Sequence, residues 1–399
     1  MHEDDWADDA AGEIFRKAFL DEVRNYRALR FDEWIGILRS EDEGGLIITD
    51  WASRPLPSDE MFHRFVPYEW MADLCNKVGA DMWLCLPTAV SDDHIQQAAT
   101  LIHSLMPAPR HVYVEYTTKT WDFAGTPQAH YVSEQGRIAF GTTGDPTNQE
   151  FLNWYGLRSV QVAQAWRSVW GSDPRLHCVI QTQTDWLGNE HGVLVAPMWQ
   201  ERDGTLGLPP YVAPHSVMDM LTVHAQVDGG MAYGARATDL ETWRTTLTQT
   251  EAFNRIRDQM LENAWFATPF DPATEEDPER NQRDIQHLIP KFEHFRNIAD
   301  TYDLELGCYE VGNHLNGVGG SADLQAFIAA FSVSTQMAEV YTATFDAIRD
   351  AGFDGPLCMS VECRYPDGNS AHGLQRWLGD HNPAWTAVDA INQVNDGPT

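Results

Sequence analysis

The chain of 399 residues is 43% hydrophobic and 11% aromatic, enough apolar surface for a large core and too much for a disordered protein. Its 27 Lys and Arg stand against 59 Asp and Glu, and the formal net charge of -32 repels phosphate backbones and anionic bilayers, so no nucleic-acid partner and no membrane partner is expected. Only four of the basic residues are lysines (Lys17, Lys77, Lys119 and Lys291); a lysine-poor acidic surface suits a halophilic protein, and ordinary acidity is the plainer reading.

In chain order, the start "MHEDDWADDA" has neither the basic nor the apolar region of a secretory signal, and no run reaches the ~18 apolar residues of a membrane span. The expectation is a soluble chain, extracellular or surface-associated if a segment upstream supplies an export signal. A helical stretch, "AGEIFRKAFLDEVRNY", leads straight into a strand at 26–31, "YRALRF". Pro67 suits the first turn of the helix "PYEWMADLCNKVG", which stops at Gly79. The strand "DMWLCL" (81–86) follows, and Ser91 with Asp92 and Asp93 caps the next helix. The strand "HVYVEYT" (111–117) precedes a less regular insertion at about 121–147, and "LHCVIQTQ" (176–183) precedes a second at 186–214. Strands at 219–225, 304–310 and 356–362 complete the series; Ser321 opens one long helix between the last two, and "TPFDPATEEDPERNQ" (268–282) is a loop between two helical stretches.

Short β-rich runs separated by helices are the pattern of βα units on a parallel sheet. The expected architecture is α/β, a (β/α)8 TIM barrel in a single domain spanning 1–399. Seven visible strands fall one short of eight, so the first strand lies upstream or an irregular segment in the first ten residues replaces it. In such a barrel the two insertions belong on the C-terminal face, where sites are built.

Several chemistries find no support. The six cysteines are scattered without a CxxC pair and read as buried thiols. His177, His191, His215, His224, His314 and His372 show no zinc spacing, "GVGGSAD" at 317–323 lacks phosphate-loop spacing, and there is no GxSxG elbow. No cofactor and no metal are expected.

The segments "RFDEW", "WASRPLP", "GADMWLCLP", "VYVEYTTKTWD" and "CYEVGNHLNG", taken in order, resemble strand ends of a bacterial group of carbohydrate-active barrels. That group is related to the retaining glycoside hydrolases of the (β/α)8 clan that includes many cellulases, and the resemblance covers roughly 25–390. It implies a poly- or oligosaccharide partner. The clan's Asn-Glu pair, which supplies the general acid/base, falls on Thr118 and Lys119; its nucleophile falls on Glu310. The aromatic residue often found near the nucleophile falls at Gln226.

A retaining glycosidase needs two carboxyl groups about 5–5.5 Å apart, one attacking the sugar and one protonating the leaving oxygen. Lys119 serves the second role badly, because its positive charge sits beside a cationic transition state, and losing a general acid costs on the order of 10²–10⁴ in rate. It could instead pair with Glu310, or act as a base or Schiff-base nucleophile if its pKa were lowered. Asp32, Glu33 and Glu362, at the ends of the first and last visible strands, are the acids that could be recruited in its place. Glu115, Thr117 and Lys119 alternate along one strand, with Glu115 a structural partner for Arg30 or Lys119.

Trp34, Trp51, Trp83, Trp121, Trp186 and Trp199 lie at or beyond strand ends, where indoles can stack on sugar rings, though about half of them belong to the core. His314 orders the Glu310 loop or touches a ligand. The expectation is a barrel of glycoside-hydrolase descent that binds carbohydrate and is impaired or inactive as a retaining hydrolase, a pseudoenzyme. The alternatives are an active glycosidase with Glu310 as nucleophile and a relocated acid, or a non-catalytic barrel within a larger surface or virion assembly.

Overall fold

The computed structural model describes residues 13–32, 34–37, 48–59, 65–123, 126–142, 149–234, 236–266, 283–359 and 373–395. Among the described residues, seven strands form one sheet in the order of the chain: β1 (Ala28–Phe31), β2 (Asp81–Leu86), β3 (Val112–Tyr116), β4 (Leu176–Gln181), β5 (Met220–Val227), β6 (Glu305–Asn313) and β7 (Leu357–Met359). All of the pairings that give a register are parallel. Parallel strands need crossover connections, and helices supply them, so sequential order with alternating helices defines the (β/α)8 TIM-barrel class. The expected irregular start falls within residues 1–12, outside the described residues.

Strand sequences follow from burial on both faces. β2, "DMWLCL", is apolar after its first residue, and β3, "VYVEY", buries all five side chains including the carboxylate of Glu115.

The chain groups into two compact units. The first comprises Met1–Gln183, Leu187–Thr222 and Ala299–Gly307; the second comprises Thr184–Trp186, Val223–Ile298 and Cys308–Thr399. In the first, α1 (Lys17–Val23) leads into β1, α2 (Tyr68–Val78) ends at Gly79 in the left-handed region, and α3 (Asp92–Leu105) is capped by Ser91, whose hydroxyl accepts from His94 N. The stretch expected to be irregular at 121–147 contains a regular helix, α4 (Pro127–Phe140), crossing α5 (Gln149–Trp170). The crossing is tight at Gly136, where a Cβ would lie 2.5 Å from the Glu150 carbonyl oxygen. The second insertion likewise holds two short helices, α6 (Asn189–Leu194) and α7 (Pro197–Glu201).

In the second unit, α8 (Ala237–Thr246) precedes α9 (Gln249–Glu262), whose first turn is closed by a reciprocal Thr248–Glu251 capping box. α10 (Ile285–Tyr302) begins in this unit and its last residues belong to the first. The single long helix expected after Ser321 is two helices, α11 (Ala322–Ser332) and α12 (Thr335–Asp350). Ser334 breaks the run because its hydroxyl accepts from Met337 N and starts a new helix. α13 (Pro383–Asn395) closes the described chain.

Among the described residues no helix is long and apolar enough to cross a membrane, and no group of three or more ligating side chains could hold a metal ion. Cys75, Cys85, Cys178 and Cys308 are buried free thiols and Cys358 is a half-buried one.

Candidate functional site

In the first unit, the C-terminal ends of β1, β3 and β4 meet in a buried polar network. Cys85 and Glu115 are register partners on neighbouring strands, and Glu115 pairs with Val179, two residues before Gln181, so the three side chains share a face. Glu115 is fully buried. Its Oε1 accepts from Arg30 Nη2 at 2.5 Å and Nε at 3.1 Å and from the Cys85 thiol, while Oε2 accepts from Gln181 Nε2 at 2.6 Å. Burial pushes the carboxyl above its ordinary range against the pull of Arg30 and the Cys85 hydrogen bond. Arg30 also donates to Asp32 Oδ2 at 3.2 Å and to Thr118 Oγ1 at 3.1 Å. Glu115 is thus the partner of Arg30.

The alternation along this strand does not reach Lys119. β3 ends at Tyr116, and Thr117 and Lys119 both take φ of 50°, in the left-handed region. For β-branched Thr117 that backbone is strained, and the surroundings hold it there. Its hydroxyl lies 2.6 Å from that of Thr88, whose carbonyl accepts from the Tyr116 hydroxyl at 2.8 Å. Lys119 N donates to Gln181 Oε1 at 3.1 Å, and its carbonyl accepts from Asp122 N and from the Thr126 hydroxyl, each at 3.2 Å. The half-buried Lys119 side chain therefore leaves a fixed turn and not a pleated strand.

In the second unit a second network gathers around Arg283. Asp185, one residue past Thr184, is buried; its Oδ2 accepts from Arg283 Nε at 3.0 Å and its Oδ1 from Lys291 Nζ at 2.5 Å. Burial works to raise this carboxyl, but His224, Arg283 and Lys291 outweigh it and hold it well below the usual range. His224 Nε2 lies 3.3 Å from Asp185 Oδ2. Burial keeps the imidazole pKa low, opposed by Asp185 and by the charge of Glu310. Arg283 Nη1 reaches Gln226 Oε1 at 3.1 Å and His314 Nδ1 at 2.9 Å. Asp228 Oδ2 stands 3.2 Å from His314 Nδ1 and 3.7 Å from Arg283 Nη1, and its Oδ1 accepts from Gly230 N at 2.7 Å. Burial raises the Asp228 carboxyl to about 6.

The expected site residues therefore divide. Thr118, Gln226 and His314 are buried and already engaged by arginines. Asp32 is held by Arg30, Glu310 is half-buried in β6, and Trp34, Trp121 and Trp186 are half-buried. Trp83 and Trp199 are core residues, 0% and 1% exposed. Glu33, Glu362 and His372 lie outside the described residues. Sequence reasoning did not single out Asp185, Asp228, Arg283 or Lys291 as site residues. Asp185 follows "QTQT" directly after a strand, which was a usable signal, but Arg283 follows a stretch that reads as a plain loop and carries none.

No protein-family model and no curated protein sequence matches the chain. Among solved structures, the GH5-4 broad specificity endoglucanase from Clostridium acetobutylicum superposes over 94% of this chain and 89% of its own, at 11% identity and a TM-score of 0.48. The class of the protein rests on its own strand order and pairing.

Proposed function

We propose that the chain is a glycoside-hydrolase-like barrel that binds a poly- or oligosaccharide at the C-terminal ends of its strands and is impaired as a retaining hydrolase. The observation that carries this reading is the commitment of Glu115, the buried carboxylate of β3, to Arg30, Cys85 and Gln181. Lys119 occupies the position that the resemblance gives to the acid/base. Glu115 is wholly buried and accepts from Arg30, Cys85 and Gln181, and Asp32 accepts from Arg30. With both oxygens taken, Glu115 is not free to take over protonation of a leaving oxygen, Asp32 is held by Arg30 through one oxygen only, and an ammonium at Lys119 opposes the positive charge that develops on the sugar. Glu310 keeps the nucleophile position that the resemblance implies, and half-buried Trp34, Trp121 and Trp186 supply indole surface for sugar rings.

The test is Lys119→Glu assayed on aryl glycosides and on a panel of glucans and related glycans. Restoring a carboxyl should raise turnover by on the order of 10²-fold or more. Unchanged activity in a folded variant would sink the reading. A fluoro-sugar that labels Glu310 in the wild-type chain at a rate typical of working retaining enzymes would show that an acid has been relocated. Glycan binding without turnover supports the reading; neither binding nor turnover turns it into a scaffold within an assembly.

A further inference from the structure

In the second unit, α8, α9 and the turn after them carry a cluster of aromatic rings and guanidinium groups. Trp243 of α8 is buried; it stacks on Phe266 with centroids 5.4 Å apart and meets Trp265 at a steep angle, 6.2 Å between centroids. The guanidinium carbon of Arg255, on α9, lies 4.4 Å from the Trp265 ring centre, and that of Arg236, just before α8, lies 4.4 Å from the Phe266 ring centre. Although Arg255 covers part of its ring, Trp265 remains 46% exposed. The turn that presents it is fixed. Gln259, 1% exposed, accepts from Trp265 N at 2.9 Å and Phe266 N at 3.1 Å through Oε1, while its Nε2 donates to the Gly229 carbonyl at 2.8 Å. Gly229 lies two residues past Val227, the last residue of β5, so the cluster is fastened at the strand end where a barrel builds its sites.

The two arginines stand apart from the rest of this unit. Arg244, Arg257, Arg283, Arg296, Arg349 and Arg376 each form an ion pair with a carboxylate, as a chain with 59 Asp and Glu against 27 Lys and Arg readily allows. Among the described residues, Arg236 and Arg255 pair with no carboxylate. Glu251, one helical turn before Arg255, is engaged elsewhere: its Oε2 accepts from Thr248 N at 2.9 Å and from the Thr248 hydroxyl at 2.7 Å. A guanidinium that lies on a ring keeps its N–H donors in its own plane, directed outward, where a carboxylate can take two of them at once.

We propose that this cluster binds an acidic saccharide, one whose units carry a carboxylate, with the exposed indole of Trp265 as the platform for a sugar ring and the guanidiniums of Arg255 and Arg236 as partners for the carboxylates. The inference rests on the carbohydrate reading of the barrel and names the class of sugar. The C–H face of a pyranose packs on an indole, and the planar carboxylate matches the guanidinium fork. A neutral sugar would use the ring and leave both arginines idle, so the charge belongs to the ligand. The net charge of -32 repels such a glycan at long range, but charges more than about 8 Å apart are largely screened at physiological salt, and contact with the two unspent guanidiniums decides.

Calorimetric titration of the full chain with trisaccharides of galacturonic, glucuronic and mannuronic acid, each beside its methyl ester, isolates the charge, because esterification neutralises the carboxylate and keeps the ring. At least one acid should bind about tenfold or more tighter than its ester. Arg255→Met should remove that preference, and Trp265→Ala, at an exposed position, should weaken acid and ester alike. If Arg255→Met does not fold, Arg236→Met takes its place and should cut the preference severalfold. Acids that bind no better than their esters overturn the proposal, as does a preference that survives the arginine change. Acid binding at wild-type strength in Trp265→Ala overturns it too, since the cluster would then be a bare anion patch. Cello-oligosaccharides keep the two readings apart: a chain that binds them without any acid preference retains the carbohydrate reading and loses this one, while a chain that binds no saccharide loses both.

Discussion

Replacing Arg30 by Met tests how much the buried network at the end of β3 stabilises the fold. The change keeps the apolar stem and removes the guanidinium. Glu115 then loses the Nε and Nη2 contacts at 3.1 and 2.5 Å and keeps the Cys85 and Gln181 hydrogen bonds. Two charge-assisted bonds at about 1.5–3 kcal/mol each give a loss of roughly 3–6 kcal/mol, in line with the ~3–5 kcal/mol for stripping one partner from a buried ion pair. Urea denaturation at pH 7.5 should show this as a fall in midpoint with little change in slope. The pH dependence gives a second signature. Burial already raises the Glu115 carboxyl above its unfolded value of 4.5, and without Arg30 it rises further. A raised folded value means stability that is full below the unfolded pKa and lost as pH climbs through the folded one. The variant should therefore be closest to wild type near pH 5 and fall furthest behind near pH 8. Glu115→Gln combined with Arg30→Met removes both charges and should recover a large part of the loss. Additive single losses with no coupling would refute the claim that these two residues act as one buried unit.

The Asp228 carboxyl is raised from 3.8 to about 6, roughly two units at 1.36 kcal/mol each, or about 3 kcal/mol. Relative to Asp228→Asn, wild-type stability should decline by about that amount as pH rises from below 4 to above 6, and parallel stability curves for the two chains would contradict it. Gly136→Ala gains about 1 kcal/mol of helix propensity but drives a methyl to 2.5 Å from the Glu150 carbonyl oxygen, an overpacking cost of about 1–3 kcal/mol. The expected outcome is a net fall of a few degrees in Tm, measured by calorimetry, and a rise would mean that α4 and α5 separate easily.

Local signals carried most of the architecture. The βα alternation, the strand positions and the caps at Ser91, Gly79 and Ser321 were legible because they depend on neighbours within a few residues: apolar runs for buried strands, hydroxyls that accept from helix N–H groups, and a glycine free to take a positive φ. The division of the long helix at Ser334 was missed because Ser332, Val333 and Ser334 fit within a helical pattern, and only the hydroxyl's turn to Met337 N decides otherwise. The helix inside 121–147 was missed because its polar face and central Gly136 weaken the periodic signal.

What the sequence determined by itself is the class of fold, the acidic surface, and the presence of a lysine at the end of the third strand. What only the tertiary structure decided is which charges meet. Asp185 finds Arg283 and Lys291 across 98 and 106 residues of chain, and Arg30 finds Glu115 across 85. Pairings of that span are set by strand register and by the exclusion of water from the sheet interior, and neither quantity is written in any short stretch of sequence.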